Sequence, residues 1–65
     1  MTWYLKVKTE TDEHQLDFPD EASAKAALNE TMGYIGHLDS SSVKIADRLV
    51  VIASQIRSGE IWEAV

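Results

Sequence analysis

An uninterrupted apolar run late in the chain, Leu49-Val50-Val51-Ile52, restricts the possible folds more than any other segment. Its β-branched residues favour a strand, and apolarity on both faces is typical of a strand that is covered on both sides. We therefore predict a central strand over residues 49–52, followed by a short turn at Ser54-Gln55-Ile56. The alternating residues Glu60 to Val65 predict a last strand, which returns to pair beside the apolar run.

The first residues of the chain alternate in hydropathy with a period of two. Trp3, Leu5 and Val7 would face one side of a strand, while Tyr4 and the lysines that follow it would face the other. A second alternating segment, HQLDF, covers residues 14–18, and the residues between the two segments are polar and prone to turn. The pattern predicts a β-hairpin with its turn near Thr11-Asp12.

A helix is predicted directly after this hairpin. Asp20 can accept hydrogen bonds from the free N–H groups of a first helical turn, so we expect it to be the N-cap. The segment EASAKAALNETM, residues 21–32, is rich in strong helix formers, and Gly33 is a suitable C-cap. Its apolar side chains recur three and four residues apart. The predicted buried stripe consists of Ala24, Ala27, Leu28 and Met32.

The remaining segments complete an α+β domain. Residues 34–42 predict a loop that is packed by Ile35 and Leu38, because Gly36 and three serines interrupt any periodicity. Residues 43–46 predict a short strand, with a tight turn at Asp47-Arg48. A helix over residues 43–57 is the alternative, but the many β-branched residues there argue against it. We predict one domain over residues 1–65, with the order ββαβββ and one helix packed on a small antiparallel sheet.

Composition excludes several classes of function. With 11 acidic and 6 basic residues the net charge is −5, which disfavours direct nucleic-acid binding because phosphate contacts need Lys and Arg. No apolar stretch approaches the ~20 residues of a membrane-spanning helix. The chain has no cysteine, which fits a reducing cytoplasm. A chain this short buries only about 60% of its unfolded surface, so self-association or a partner is expected to add stability.

Two segments resemble a group of known proteins. The segments FPDEASAKAAL, from Phe18, and VVIASQIRSGEIWE, from Val50, together resemble short proteins that tailed phages and prophages encode. Ala53 departs from the pattern, in which Asn is common at that position. The resemblance implies a small accessory or host-takeover protein, and it implies no enzymatic activity.

The polar residues predict neither a catalytic site nor a metal site. His37, Asp39 and the serines at 40–42 are too close in sequence for a triad, which is assembled from separate elements. His14 lies among carboxylates, but a charged hairpin tip explains this grouping as well as a metal site does. No glycine motif that cradles phosphate is present. We expect no catalytic residue, no metal and no cofactor.

An acidic run and the aromatic residues supply the candidate binding residues. Six carboxylates lie between Glu10 and Asp20-Glu21, which predicts either a solvated face or an imitation of a phosphate backbone. The rings of Trp3, Tyr4, Tyr34 and Trp62 are many for a small core, and exposed Trp and Tyr are preferred interface anchors. The candidate partner-binding residues are Trp62, Tyr4, Tyr34, Glu10, Asp12 and Glu13.

These observations favour a small non-enzymatic protein–protein interaction module of phage or prophage origin. Its partner would be another protein, such as a host protein, and it would also form a homo-oligomer through a sheet edge or the face that carries Trp62. Two alternatives stay open. One is an acidic mimic of nucleic acid that inhibits a host nucleic-acid-binding protein, and the other is a small hydrolase or metal-dependent enzyme that uses His14 or His37.

Overall fold

A computed structural model describes residues 2–64 and confirms the α+β class and the element order ββαβββ. The rival helix over residues 43–57 is wrong, because this region forms strands and one turn of 3₁₀ helix. The elements are β1 (Trp3–Thr9), β2 (Glu13–Phe18), α1 (Glu21–Met32), β3 (Ser42–Ile45), β4 (Leu49–Ile52), the 3₁₀ turn (Ala53–Gln55) and β5 (Ile56–Glu63).

The strands form two antiparallel sheets, and β1 is the central strand of the larger one. That sheet has the order β2-β1-β5, while β3 and β4 form a separate two-stranded sheet. In the larger sheet Leu5 lies opposite Leu16 on one side and Ile61 on the other. The predicted hairpin is therefore confirmed. Its turn brings the backbone N–H of Thr9 within 2.8 Å of the Asp12 carbonyl oxygen.

The central position predicted for Leu49–Ile52 is wrong, although the segment is a strand. Its partner is β3, and β5 pairs beside β1 and not beside β4. Val51 is buried in the core, whereas the side chain of Val50 is 59% exposed. The apolar run therefore has one buried face, and the central strand is the alternating β1. Val65, predicted to end the last strand, lies outside the described residues.

Helix α1 begins and ends where the sequence predicts. The Asp20 carboxylate accepts a hydrogen bond from the Ser23 N–H at 2.8 Å, and the N–H of Gly33 donates to the Asn29 carbonyl oxygen at 3.1 Å. The predicted buried stripe is wrong at one position. Met32 is 50% exposed, whereas Thr31 is fully buried and donates its hydroxyl to the Ala27 carbonyl oxygen at 2.9 Å.

The helix lies close to the sheet because β5 has a glycine beneath it. A Cβ atom at Gly59 would lie 3.1 Å from the Cγ2 atom of Thr31 and 3.3 Å from the Cδ1 atom of Leu28. The small side chains Ala24 and Ala27 are buried on the same side of the helix. This close contact explains how a stripe of small side chains still closes the core.

The core is completed by the β3–β4 hairpin, and the loop before it packs differently from the prediction. Leu38 is 97% exposed and Ile35 is also exposed, so the predicted packing of these two residues is wrong. Tyr34 packs against the core instead. Ile45 and Val51 of the hairpin enter the core beside Leu5.

The hairpin turns one residue earlier than predicted, with Ala46 and Asp47 at its centre. Both have positive φ angles, 53° and 56°, and the N–H of Arg48 donates to the Ile45 carbonyl oxygen at 3.0 Å. Two successive positive φ angles are typical of a type I′ turn, which usually contains Asn and Gly. The Glu30 carboxylate accepts from the Ala46 N–H at 3.2 Å and so links the turn to the helix.

Candidate functional site

The larger sheet has one face against the core and one open face. Leu5 and Val7 of β1 are fully buried on the core side. Because side chains alternate along a strand, the intervening residues lie on the opposite face. The register aligns them into cross-strand rows. The open face consists of Tyr4, Lys6 and Lys8 from β1, Glu13, Gln15 and Asp17 from β2, and Ser58, Glu60 and Trp62 from β5.

An aromatic pair occupies one end of the open face. Tyr4 lies directly opposite Trp62, and their ring centroids are 5.6 Å apart with an interplanar angle of 31°. The Lys6 ammonium lies 5.8 Å from the centroid of the Trp62 ring, within cation–π range. Both rings are partly buried although no helix within residues 2–64 covers this face, because they pack on each other and on the lysine stem.

The rest of the open face is polar and carries both signs of charge. The Lys8 ammonium pairs with the Glu13 carboxylate at 3.5 Å, and Lys6 lies between Gln15 and Glu60 in the register. A shallow cavity of about 200 Å³ lies beside Tyr4 and is also lined by Gln15, Leu16 and Asp17. An apolar ring pair with a polar surround and a neighbouring depression is the usual composition of a protein interface.

The structure does not bring Tyr34 to this surface. Tyr34 follows helix α1, packs against the core, and meets His37 edge to face with ring centroids 5.6 Å apart. Trp3 is likewise on the core side, where it packs against the buried cluster. The alternation of β1 predicts the separation of Trp3 from Tyr4, whereas nothing in the sequence fixes the position of Tyr34.

The three acidic candidates lie together at the β1–β2 hairpin tip, but cations from other elements accompany two of them. Glu10 pairs with Arg57 at 3.4 Å and Glu13 pairs with Lys8. The Asp12 carboxylate accepts from the Thr11 hydroxyl at 3.1 Å.

The acidic run has two further members with structural roles. Asp17 pairs with Arg48 at 3.6 Å, and Asp20 caps helix α1. The run is continuous in sequence but partly neutralised in space. This weakens the argument for an imitation of a phosphate backbone, which needs an uncompensated row of charges.

The His37–Asp39–Ser segment forms a local turn. Asp39 accepts from the hydroxyl of Ser41 at 2.7 Å and from its backbone N–H at 2.9 Å. These hydrogen bonds, the hydroxyl contact foremost, lower the pKa of the Asp39 carboxyl group from its ordinary value. Ser41 therefore occupies the Oδ1 atom of Asp39 with both hydrogen bonds, while the His37 ring packs on Tyr34.

His14 lies on β2 opposite Val7, and its side chain shares the core-facing side of the strand with Leu16. Among residues 2–64, no three side chains of the His, Asp and Glu types lie close enough together to hold a metal ion. The two histidines belong to different elements, β2 and the loop after α1.

A second, larger cavity of about 380 Å³ lies between helix α1 and the turn of the β3–β4 hairpin. Phe18 and Ala27 contribute apolar lining, while Glu30 and Arg48 contribute charged groups. Arg48 spans its rim, where its guanidinium carbon lies 4.7 Å from the centroid of the Phe18 ring and one of its amino groups donates to the Asp17 carbonyl oxygen at 2.7 Å. Sequence reasoning missed this role, because residues 17 and 48 meet only through the tertiary fold.

None of the helices within residues 2–64 combines the length and the apolar character that crossing a membrane requires. Comparison with family models, with curated proteins and with solved structures finds no match to this chain.

Proposed function

We propose that this chain is a small non-enzymatic protein-binding module that docks its partner on the open face of the larger sheet. The observation that carries the proposal is the Tyr4–Trp62 pair, which lies on the sheet face opposite helix α1. Large rings with few rotatable bonds form contacts at low entropic cost, which makes Tyr and Trp frequent anchors of interfaces.

The arrangement around the rings favours a protein partner. Lys6 and Glu60 flank the aromatic pair and supply one charge of each sign, while the cavity beside Tyr4 can receive a side chain. Mixed charge around an apolar centre gives orientation and specificity to a protein contact. A nucleic-acid ligand would instead need a uniformly basic surface.

The resemblance of its sequence to short phage and prophage proteins supports a more specific form of this proposal. The chain would act as a phage or prophage accessory protein in the cytoplasm of the host, and its partner would be a host protein.

Affinity capture from a bacterial lysate tests the proposal with four baits, all of them folded. The baits are the wild-type chain, Tyr4→Ala, Trp62→Ala and Val50→Ala. Val50 is a matched control, because its side chain is apolar and 59% exposed but lies on the β3–β4 hairpin. We expect a protein that the wild type and Val50→Ala retain and that both aromatic variants lose.

Two results contradict the proposal. One is a partner that all four baits retain equally, which would place the contact elsewhere on the molecule. The other is a partner whose binding is lost with Glu10→Gln, Asp12→Asn and Glu13→Gln but kept with Tyr4→Ala. Together with strong weakening by salt, that result would favour the acidic mimic.

A further inference from the structure

The hydrogen-bonding pattern of the larger sheet shows which backbone groups point away from β5. The Ala64 N–H donates to the Thr2 carbonyl oxygen at 2.8 Å, and the register that places Trp3 opposite Glu63 makes Thr2 and Ala64 direct partners. In an antiparallel pair, hydrogen-bonded residues alternate with residues whose groups face outward. The N–H and C=O groups of Gly59, Ile61 and Glu63 therefore point outward from the sheet.

The two edges of the sheet differ in their protection. By the same alternation Asp17 of β2 directs its carbonyl oxygen outward, and Arg48 occupies that oxygen at 2.7 Å. On the β5 side, no hydrogen bond from residues 2–64 reaches the outward groups of Gly59, Ile61 or Glu63. A free edge of this length is a template for another strand.

We propose that a second copy of this chain pairs with the free edge of β5 in the antiparallel sense, with Ile61 opposite the second copy's Ile61. The two β5 strands would join the two three-stranded sheets into one sheet of six strands. This proposal concerns the edge of the sheet, and it stands independently of the partner that docks on its open face.

The side chains of β5 select this register. The outward groups permit a two-fold axis at any position from Gly59 to Glu63. An axis at Glu60 or at Glu63 places two like carboxylates directly opposite each other, which is destabilising. An axis at Gly59 leaves a side-chain gap at the centre and places Ile61 opposite a charged Arg57, and an axis at Trp62 places Ile61 opposite a charged Glu63.

An axis at Ile61 continues the apolar core from one copy into the other. Leu16, Leu5 and Ile61 already form one cross-strand row on the core side, and Ile61 is only partly buried at the end of that row. Pairing Ile61 with its own copy extends the row to six aliphatic side chains. The partly exposed Ile61 is the residue that gains most burial from this contact.

The same register is complementary on the open face. Glu60 of one copy would lie opposite Trp62 of the second copy, and Lys6 of that second copy already lies over the same ring, 5.8 Å from its centroid. The Glu60 carboxylate of one copy would then approach the Lys6 ammonium group of the other across the Trp62 ring. The two-fold axis generates this contact a second time. Self-complementarity of this kind is what a two-fold interface requires, and it favours a second copy over a different strand.

Amide hydrogen exchange by NMR, read together with sedimentation across a concentration series, tests the proposal on the wild-type chain. We expect a dimer whose formation slows exchange at Gly59, Ile61 and Glu63. The outward amides of β2, at Glu13 and Gln15, serve as the internal control and should exchange rapidly at every concentration. A strict monomer up to about 1 mM, a concentration at which a weak dimer with a millimolar Kd would be detectable, overturns the proposal.

Proline substitution tests the edge with a matched control. Glu63→Pro removes an outward N–H from β5, and Gln15→Pro removes an outward N–H from β2; edge positions of this kind tolerate proline. Two symmetry-related hydrogen bonds are lost in the first variant, so we expect association to weaken about tenfold or more. Equal effects of the two variants would contradict pairing through β5.

A spin label at Ser58→Cys reads the register, since the chain has no other cysteine. An axis at Ile61 places the two Ser58 Cα atoms roughly 20 Å apart. Axes at Glu60 and Gly59 give about 14 and about 8 Å, and axes at Trp62 and Glu63 give about 27 and about 34 Å. A dimer with any of these other distances would refute the register. Failure of these experiments would leave the docking proposal intact, because Tyr4 lies one strand further from the edge and its substitution is scored by partner capture.

Discussion

Gly59 has no side chain, and this absence sets the distance between helix α1 and the larger sheet. A Cβ atom there would lie 3.1 Å from the Cγ2 atom of Thr31, which is fully buried. We expect Gly59→Val to lower the free energy of unfolding by about 1–3 kcal/mol, as overpacking of a dense core does. Urea denaturation followed by tryptophan fluorescence measures the change.

The control for this prediction is the neighbouring residue on the opposite face. Ser58→Val introduces the same side chain on the open face, where we expect a change within about 0.5 kcal/mol. If the two variants were equally stable, the close contact between α1 and β5 would be wrong.

The Asp20 cap predicts a dependence of stability on pH. The hydrogen bond from the Ser23 backbone N–H, and then that from its side chain, lower the pKa of the Asp20 carboxyl group below its ordinary value of 3.8. The resulting stabilisation is present above that ordinary value and is lost as the pH falls through the lowered pKa. Asp20→Asn keeps an acceptor that does not titrate, so the urea midpoint of the wild type should fall more than that of the variant between about pH 5 and about pH 2.

Asp39 has a pKa lowered in the same direction, so it contributes to the acid sensitivity of both proteins and cancels in the comparison. Equal falls in the two midpoints would show that the cap contributes nothing that depends on its charge.

Local chemistry in the sequence is sufficient to predict the positions of some residues but not of others. The cap Asp20 and the opposite faces of Trp3 and Tyr4 follow from neighbouring residues alone, and both predictions are confirmed. The burial of Thr31 cannot be predicted from its neighbours in sequence. The helix is rotated so that Thr31 and not Met32 meets the sheet, and this rotation is set by the contact with Gly59, 28 positions along the chain.

Among the elements, the β3–β4 hairpin has the most unusual turn. Ala46 and Asp47 both hold positive φ angles, which suit Asn and Gly better than Ala. Replacing the pair by Asn-Gly should raise the free energy of unfolding by about 1 kcal/mol, because the strain of a left-handed alanine is removed. Thermal unfolding followed by circular dichroism measures the gain.

A β-branched residue provides the opposite control for this turn. Ala46→Val should lower stability, since β-branched side chains strongly disfavour a positive φ. A loss of stability in the Asn-Gly variant would mean that the turn needs its present side chains for another contact.

The pairing of elements was harder to predict than their existence. Each predicted strand exists, but the sequence gives no signal that distinguishes a strand buried on two faces from one buried on one face and lying in a small separate sheet. The apolar run of β4 therefore predicts a central strand, and this prediction is wrong. The long, alternating β1 holds that position because it has partners on both sides. The open face around Tyr4 and Trp62 depends on the pairing of β1 with β5. The sequence predicts that both strands exist, but it does not predict that Tyr4 and Trp62 lie opposite each other.

The whole molecule carries a net charge of −5, which bears on how two copies would associate. Like net charges repel at long range, and added salt screens that repulsion. We therefore expect dimerisation to tighten as NaCl is raised from low to moderate concentration, and the midpoint of thermal unfolding to rise with protein concentration. Sedimentation at two salt concentrations measures the first effect. Weaker association in salt would indicate that ion pairs, and not the Ile61 row, hold the copies together.

The contact between Arg48 and the Asp17 carbonyl oxygen limits how far assembly can continue. A sheet that accepted strands at both edges would grow without end, as fibrils do. Because the guanidinium occupies the outward carbonyl oxygen of Asp17, strand addition is disfavoured at that end of β2, whereas no hydrogen bond from residues 2–64 reaches the outward groups of β5. One arginine in a hairpin turn thus biases assembly toward a closed pair and against an open-ended polymer.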